Sequence, residues 1–139
     1  MNDKTFVDTN VLIYAHDNDA GAKHRIAAAL LRELWSSRTG VLSVQVLQEF
    51  YVNVTRKIPK PLSRAMARDL LAHYAVWNIQ TADAPLLARA SEIEEKHRLS
   101  FWDALIVAAA KEAGAQRILS EDMGNGQRIA GVRIENPFL

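Results

Sequence analysis

Four carboxylic acids of this chain, Asp8, Glu49, Asp103 and Asp122, lie within apolar segments or directly after them. Burying one carboxylate is costly, and burying several together requires a compensating positive charge. A hard divalent cation with oxygen ligands would supply that charge. Such a cation also promotes phosphoester chemistry, because it activates water and stabilises negative charge on oxygen. That chemistry depends on the fold bringing the four acids together.

Asp8 and Glu49 each have an ordinary structural interpretation beside the catalytic one. Asp8 precedes a helix-prone segment, where its side chain could serve as the N-cap and contribute about 1 kcal/mol. Glu49 lies in a segment with helical periodicity, and helical glutamates usually face solvent. That segment is apolar around much of its circumference, so Glu49 could also be partly enclosed.

Asp103 and Asp122 also have structural alternatives. Ser100 and Asp103 have the spacing of a capping box, in which a serine caps the helix and an acid follows three residues later. Apolar residues at 101–107 surround Asp103, which predicts a buried helix with the acid in or beside the core. Asp122 belongs to the polar segment 120–126, which is typical of a turn. Capping and metal binding are compatible roles for Asp103.

Several other kinds of site are excluded by composition or spacing. The sequence has no cysteine, so disulfides, zinc–thiolate sites and cysteine nucleophiles are absent. Its four histidines lack close metal-ligand spacing, and there is no Gly-x-Ser-x-Gly elbow and no P-loop. The segment Gly124-Asn125-Gly126 lacks the third glycine of a dinucleotide-binding loop.

Short apolar runs alternate with helical segments along the chain. We predict strands at residues 5–7, 41–43, 76–79 and 117–120, with a possible fifth at 132–134. We predict helices at residues 11–16, 22–35, 44–55, 63–74, 84–98 and 101–113, the last ended by Gly114. This alternation favours a parallel sheet covered on both faces, in which ligands bind beyond the carboxyl ends of the strands.

The predicted elements place three of the acids where such a site would form. Asp8 follows the first strand, Asp122 follows the fourth, and Asp103 lies near the start of a helix. With 139 residues, 49% hydrophobic and 24% charged, the chain is expected to form one domain over residues 1–139. No segment approaches the roughly 18 to 20 apolar residues of a membrane helix, and the amino-terminal residues lack a signal-peptide core. We therefore expect a cytoplasmic protein without a membrane partner.

The ordered set of acidic motifs resembles that of the PIN-domain nucleases, and the similarity is greatest to the VapC-type toxins of bacterial toxin–antitoxin pairs. The motifs are Val7-Asp8-Thr9-Asn10-Val11-Leu12-Ile13-Tyr14, Val46-Leu47-Gln48-Glu49-Phe50, Ser100-Phe101-Trp102-Asp103-Ala104-Leu105-Ile106 and Ile118-Leu119-Ser120-Glu121-Asp122. The resemblance covers essentially the whole chain. It implies a three-layer α/β/α sandwich with a central, mainly parallel sheet of four or five strands, and acids that converge in one cleft.

The resemblance also implies an activity, namely metal-dependent cleavage of RNA phosphodiester bonds by an endoribonuclease. The acids that would hold one or two Mg²⁺ or Mn²⁺ ions are Asp8, Glu49, Asp103 and Asp122. We expect Asp122 rather than the adjacent Glu121 as the fourth acid, because it stands two residues after Ser120. Thr9 and Ser120 are expected to supply supporting hydroxyls. A cognate antitoxin and a second copy of the chain are the implied partners.

A basic cluster lies around the two prolines at positions 59 and 61. Its members are Arg56, Lys57, Lys60, Arg64 and Arg68. These side chains could contact RNA phosphates, although a solvated polar face explains them equally well. The neighbouring helices could instead hold an antitoxin peptide or a second protomer.

Three alternative functions stay open on sequence alone. A phosphohydrolase of the haloacid-dehalogenase kind also begins with an acid after its first strand, but it needs a second aspartate where this chain has Asn10. A non-toxin PIN nuclease in RNA processing would share the same acids. A non-catalytic RNA-binding or partner-binding module is a third alternative.

Overall fold

The computed structural model describes residues 4–139, which form one mainly parallel sheet with helices packed against it. The strands in this part of the chain are β1 (Thr5–Val7), β2 (Gly40–Ser43), β3 (Asn78–Gln80), β4 (Arg117–Leu119), β5 (Arg128–Ile129) and β6 (Val132–Glu135). The helices are α1 (Thr9–His16), α2 (Ala22–Ser37), α3 (Val44–Arg56), α4 (Arg64–Tyr74), α5 (Ala84–His97) and α6 (Phe101–Glu112). This is the mixed α/β architecture predicted from the alternation of strands and helices.

The strand order determines which residues can meet. The order is β3-β2-β1-β4-β6-β5, and every neighbouring pair is parallel except β5 with β6. Because β1 lies between β2 and β4, the residue that follows β1 is flanked by the residues that follow those two strands. The carboxyl ends of the parallel strands therefore share one edge of the sheet.

Helices cover both faces of the sheet at its centre. All residues of β1 and β2 are buried, and successive strand residues point to opposite faces. Such continuous burial requires a packed layer above and below the sheet. Phe6 and Leu42 are fully buried in the resulting core, as are Phe50 on α3 and Val107 on α6.

One close contact between backbone and ring fixes the start of β2. Gly40 lies directly against the Trp77 ring, where a Cβ atom would overlap the indole carbons. Trp77 belongs to the segment between α4 and β3, and its backbone N–H donates to Tyr74 O at 2.9 Å. Only a glycine permits this approach.

The sheet differs from the predicted one in two respects. Four or five strands were predicted, whereas the described residues form six, because β5 is a two-residue strand paired antiparallel with β6. Its hairpin turn is Ala130-Gly131, with φ angles of 52° and 85°. The third strand is also displaced from the predicted residues 76–79 to Asn78–Gln80, since Val76 is 78% exposed and lies outside the sheet.

The six helices lie where the periodicity places them, with boundary shifts of one or two residues. Gly114 has a φ of 74° and stands one residue beyond the C-cap residue Ala113 of α6, where a left-handed glycine commonly ends a helix. In the region from residue 4 onward, no helix combines the length and apolar character needed to cross a lipid bilayer.

Candidate active site

Asp8 lies at the end of β1, and both of its carboxylate oxygens are held. The backbone N–H of Thr9 donates to Oδ1 at 2.7 Å, so Asp8 caps α1, which was one of the two interpretations that the sequence left open. The hydroxyl of Ser120, which follows β4, donates to Oδ2 at 2.9 Å. Ser120 is itself buried, at 1% exposure. The carboxylate is therefore fixed by residues that follow two adjacent strands.

The charge of Asp8 is unfavourable in its surroundings. Burial raises the pKa of Asp8 to about 6, although the hydrogen bonds from Thr9 and Ser120 oppose that shift. The negative charges of Asp103 and Glu49 raise this pKa further, which shows that both acids lie near Asp8. Three of the four predicted site acids thus share one electrostatic environment.

Asp103 occupies the third position of α6. Its backbone N–H donates to the hydroxyl of Ser100 at 3.1 Å, which confirms the predicted cap. Asp103 is half-buried, and burial raises its pKa; Ser100 opposes the shift, and the charge of Asp122 adds to it. The prediction that α6 is apolar and buried on all sides is wrong at Trp102, which is 64% exposed. The first turn of α6 therefore opens to solvent beside Asp103.

Glu49 lies in the middle of α3 and is exposed, so the solvent-facing alternative describes its burial correctly. It nevertheless approaches the other acids, because the hydroxyl of Thr9 donates to Glu49 Oε2 at 3.4 Å. Its charge also contributes to the raised pKa of Asp8. Glu49 can be exposed and still lie near the other acids, because the acid cluster lies at the open edge of the sheet.

The contacts distinguish Asp122 from Glu121. Glu121 accepts hydrogen bonds from the Tyr14 hydroxyl at 2.6 Å and from Lys23 Nζ at 2.9 Å. Burial raises the pKa of Glu121, but the hydrogen bonds from Tyr14 and Lys23 and the charge of Lys23 outweigh it and lower the pKa overall. Glu121 is thus neutralised by its own partners, outside the acid cluster.

Asp122 instead belongs with the other acids. Its Oδ2 accepts a hydrogen bond from Asn10 Nδ2 at 2.9 Å, and its backbone N–H donates to Ser120 Oγ at 3.2 Å. Its charge acts on Asp103. The contact of Asn10 with Asp122 was missed by sequence reasoning, which noted Asn10 only within the first motif and as the position where another enzyme class has a second aspartate. The feature of the sequence that could have indicated this contact is the position of Asn10 two residues after Asp8.

The four acids and the neighbouring hydroxyls of Thr9 and Ser120 offer oxygen ligands, which hard divalent cations prefer. Among residues 4–139, no Lys or Arg side chain forms an ion pair with any of these four acids. In the same range, no three Asp, Glu or His side chains are grouped closely enough to hold one ion. A pair of carboxylates with water ligands is a usual arrangement for Mg²⁺, so the residues fit that ion.

The basic cluster lies apart from the acids. All five of its side chains are exposed, on the end of α3, the following loop and the first turns of α4. Arg56 follows Glu49 by seven residues of α3, a distance of about 10 Å along the helix axis. Lys60 pairs with Asp19 at 3.9 Å. Contact between this cluster and RNA stays a prediction.

The fold has clear relatives among solved structures. A toxin of Mycobacterium tuberculosis, VapC20, described as cleaving the sarcin–ricin loop, is 26% identical with a TM-score of 0.66, over 86% of this chain and 91% of that one. A toxin–antitoxin complex from Klebsiella pneumoniae is 19% identical with a TM-score of 0.72, over 96% and 98% of the two chains. DNA-bound VapBC from Salmonella typhimurium is 16% identical with a TM-score of 0.67, over 96% and 98%. The last two show similarity of fold alone.

The sequence itself matches a family profile. The chain matches no curated protein sequence at a significant level. The profile described as the PIN domain matches residues 5–129, which include all four acids and strands β1 to β5. The fold, the order of the acidic motifs and this match agree, and the chain belongs to the PIN-domain family.

Proposed function

We propose that this protein is a Mg²⁺- or Mn²⁺-dependent endoribonuclease and the toxin of a type II toxin–antitoxin pair. One observation carries the proposal. The carboxylate of Asp8 is held by Ser120 and by the Thr9 backbone beside Asp103 and Glu49, without an ion-paired Lys or Arg in the described chain. Such an arrangement is costly unless a cation binds there.

Asp8 and Asp103 are the acids that we assign to direct metal binding. Glu49 and Asp122 would complete a second site or orient water. When bound, the ion lowers the pKa of a coordinated water and neutralises charge on the phosphate oxygens. Without it, the cleft is anionic and repels the RNA backbone, so the four acids make activity depend on the metal.

The polar residues around the acids keep the donor oxygens in place. Ser120 orients Asp8 and also accepts the Asp122 N–H, so one hydroxyl positions two acids. Asn10 holds Asp122, and Thr9 links α1 to Glu49. Hydrolysis needs a water aligned with the scissile phosphorus–oxygen bond, and fixed carboxylates provide the reference for that alignment.

RNA is the substrate that the relatives favour. VapC20 is described as cleaving the sarcin–ricin loop, which is an RNA element, and it is 26% identical to this chain. The Klebsiella and Salmonella neighbours are toxin–antitoxin assemblies. By that likeness we propose an antitoxin protein as a partner. We further propose a homodimer, which the resemblance to VapC-type toxins implies, and the cytoplasm as the location.

Cleavage of structured RNA tests the catalytic part of this proposal. The wild-type protein should cut RNA in Mg²⁺ or Mn²⁺, and EDTA should abolish cutting. Asp8→Asn and Asp103→Asn should lower the rate at least about 100-fold while staying folded. Cleavage that persists in EDTA or in either variant would contradict the metal site.

Growth after induced expression tests the toxin part. The wild-type protein should arrest bacterial growth, and Asp103→Asn should not. Co-expression of the small protein encoded next to this gene should restore growth. An active nuclease whose expression leaves growth unchanged would instead be an RNA-processing enzyme.

A further inference from the structure

A cavity of about 360 Å³ lies beside the acid cluster, at the carboxyl ends of β2 and β3. Its lining includes Gln45 and Gln48 on α3, Gln80 and Thr81 at the end of β3, and Trp102 on α6. Gln48 precedes Glu49 in the chain, and Trp102 precedes Asp103. The cavity therefore opens next to two of the acids that define the cleft.

The described lining of this cavity is uncharged, unlike the acid cluster. Its polar side-chain groups are three glutamine amides, the hydroxyls of Ser43 and Thr81 and the indole N–H of Trp102, and its remaining side chains are apolar. Such a lining suits neither a metal ion nor a phosphate, because both need charged or closely spaced polar partners. It suits a neutral, flat group with hydrogen-bonding atoms along one edge. A nucleobase has that chemistry.

Trp102 provides an aromatic face at the rim of the cavity. It is 64% exposed, although the residues that follow on α6 from Ala104 to Ala110 are all buried. Its indole contacts the Phe101 ring edge to face, with centroids 5.5 Å apart. Exposed tryptophans next to a cleft are suited to stacking on unpaired bases, since every base presents a π-face.

Gln45 provides an unsatisfied acceptor on the same side. Its Nε2 donates to Trp102 O at 3.4 Å, which ties the first turn of α3 to the first turn of α6. Among the buried side-chain nitrogen and oxygen atoms of the described residues, its Oε1 is the one that lacks a hydrogen-bond partner. A buried acceptor without a donor is costly. A base N–H entering through the cavity, with a turn of the amide, would satisfy it.

We propose that this cavity binds one unpaired base of the RNA substrate next to the scissile phosphate. Trp102 stacks on the base, and Gln45 Oε1 accepts an N–H from its edge. The inference rests on the proposed ribonuclease function and adds a specificity-determining site to it. Trp102 and Asp103 are consecutive on α6, so their side chains leave the helix about 1.5 Å apart along its axis and about 100° apart around it, and a base stacked on Trp102 would lie next to the acid cluster.

A substrate carrying an abasic residue tests the site directly. The probe is a short single-stranded oligoribonucleotide that the wild-type protein cuts once, with abasic residues introduced singly at positions flanking the cut. At one position, the abasic residue should raise KM about tenfold, and Trp102→Ala should raise KM similarly on the intact oligonucleotide. Trp102→Ala acting on the abasic oligonucleotide should show no further rise in KM.

Matched variants separate stacking from structural damage. Trp102→Phe should keep KM within about twofold of the wild-type value, because it keeps an aromatic face. Val76→Ala removes an apolar side chain that is 78% exposed and lies before β3, away from the strand carboxyl ends, and it should change nothing. Gln45→Leu should weaken discrimination among the four bases at the sensitive position, with a smaller effect on KM for the preferred one.

Two results would overturn the base site. The first is a rise in KM on the abasic substrate that is as large in Trp102→Ala as in the wild-type protein. The second is a KM of Trp102→Ala on the intact substrate that equals the wild-type value, even if this variant binds the antitoxin less tightly. Failure of the nuclease proposal has a different signature, namely no cleavage by the wild-type protein in Mg²⁺. In that case, the base site is tested by quenching of tryptophan fluorescence. Quenching of the wild-type protein by the intact oligonucleotide that is lost in Trp102→Phe, and lost with the abasic oligonucleotide, supports base binding. Equal quenching of the wild-type protein and Trp102→Phe overturns the base site.

Discussion

The hydroxyl of Ser120 donates a hydrogen bond to Asp8 Oδ2 across 2.9 Å, and it joins two residues that are 112 positions apart in the chain. The contact exists because β1 and β4 are parallel neighbours, so the residues after them meet at one sheet edge. The same hydroxyl accepts the backbone N–H of Asp122. Ser120 thus sets the relative positions of two acids.

Removing this hydroxyl should impair activity without unfolding the protein. We expect Ser120→Ala to lower kcat/KM for RNA cleavage by about 10- to 100-fold, as loss of a hydrogen bond to a metal-binding carboxylate usually does. Higher Mg²⁺ concentration should recover part of the loss. The exposed Ser91 on α5 offers a control, since Ser91→Ala should leave kcat/KM unchanged. Equal activity of the two variants would contradict the positioning role of Ser120.

Neutralising Asp8 should stabilise the metal-free protein. Its pKa is raised from 3.8 to about 6, so near neutral pH the folded state carries a charge that burial disfavours. We expect Asp8→Asn in EDTA to raise the free energy of unfolding by about 1 to 2 kcal/mol, because Asn caps a helix as well as Asp. Urea denaturation gives this quantity.

Glu135 serves as the control, because its carboxylate has a cationic partner: it accepts a hydrogen bond from Arg117 at 2.6 Å. Glu135→Gln should leave the free energy of unfolding unchanged or lower it. Mg²⁺ should raise the melting temperature of the wild-type protein and of Glu135→Gln, but not that of Asp8→Asn. A loss of stability in metal-free Asp8→Asn would contradict the electrostatic account of the cluster.

Substitution should also separate Asp122 from Glu121. Asp122 faces Asn10 and the acid cluster, whereas Glu121 is bound by Tyr14 and Lys23. We expect Asp122→Asn to lower the rate of RNA cleavage at least about tenfold, and Glu121→Gln to keep it within about threefold. The two variants differ by one position in the same turn, so each controls for the other. The reverse order of activities would reassign the fourth acid.

We also predict that stability depends on pH through His16, a residue outside the acid cluster. It lies 2.6 Å from the Tyr74 hydroxyl, and its ring packs against Phe50 and Tyr74. Burial lowers the pKa of His16 to about 4, and nearby His73 and His24 contribute. Between pH 4 and 6.5 the unfolded chain therefore binds more protons at this residue, so its contribution to stability rises with pH and is complete above about 6.5.

Asp8 opposes this trend, because its raised pKa makes stability fall as pH rises from 3.8 to about 6. The measurement is therefore best made in an Asp8→Asn background. There, the stability advantage of His16 over His16→Asn should grow by at most about 3 kcal/mol as pH rises through that window. A pH-independent difference would show that His16 is not held neutral in the fold.

Sequence reasoning predicted that three of the acids would meet at one edge of the sheet, whereas Glu49 was added only through the resemblance to the PIN-domain nucleases. Asp8 and Asp122 follow short apolar strands, and Asp103 follows a helix cap, so parallel pairing brings them to one edge. The preference for Asp122 over Glu121 came from the resemblance, and its physical reason is given by the contacts of Tyr14 and Lys23 with Glu121, which come from distant segments. Neighbours in sequence cannot show which of two adjacent acids has a cationic partner.

The errors have physical causes of the same kind. Strand β5 has two residues and a turn of Ala130-Gly131, which is too short for periodicity and lacks the usual asparagine signal. Trp102 was predicted to be buried because the residues around it are apolar. Its exposure depends on where α6 meets the open edge of the sheet, a tertiary property that helical periodicity does not encode.

The binding of Mn²⁺, measured by electron paramagnetic resonance of the free ion, tests the central claim most directly. The wild-type protein should take up about one or two ions per chain, and Asp8→Asn and Asp103→Asn should each lose binding or weaken it at least about tenfold. Glu121→Gln should bind as the wild-type protein does. Undiminished Mn²⁺ binding by Asp8→Asn and Asp103→Asn would contradict the account.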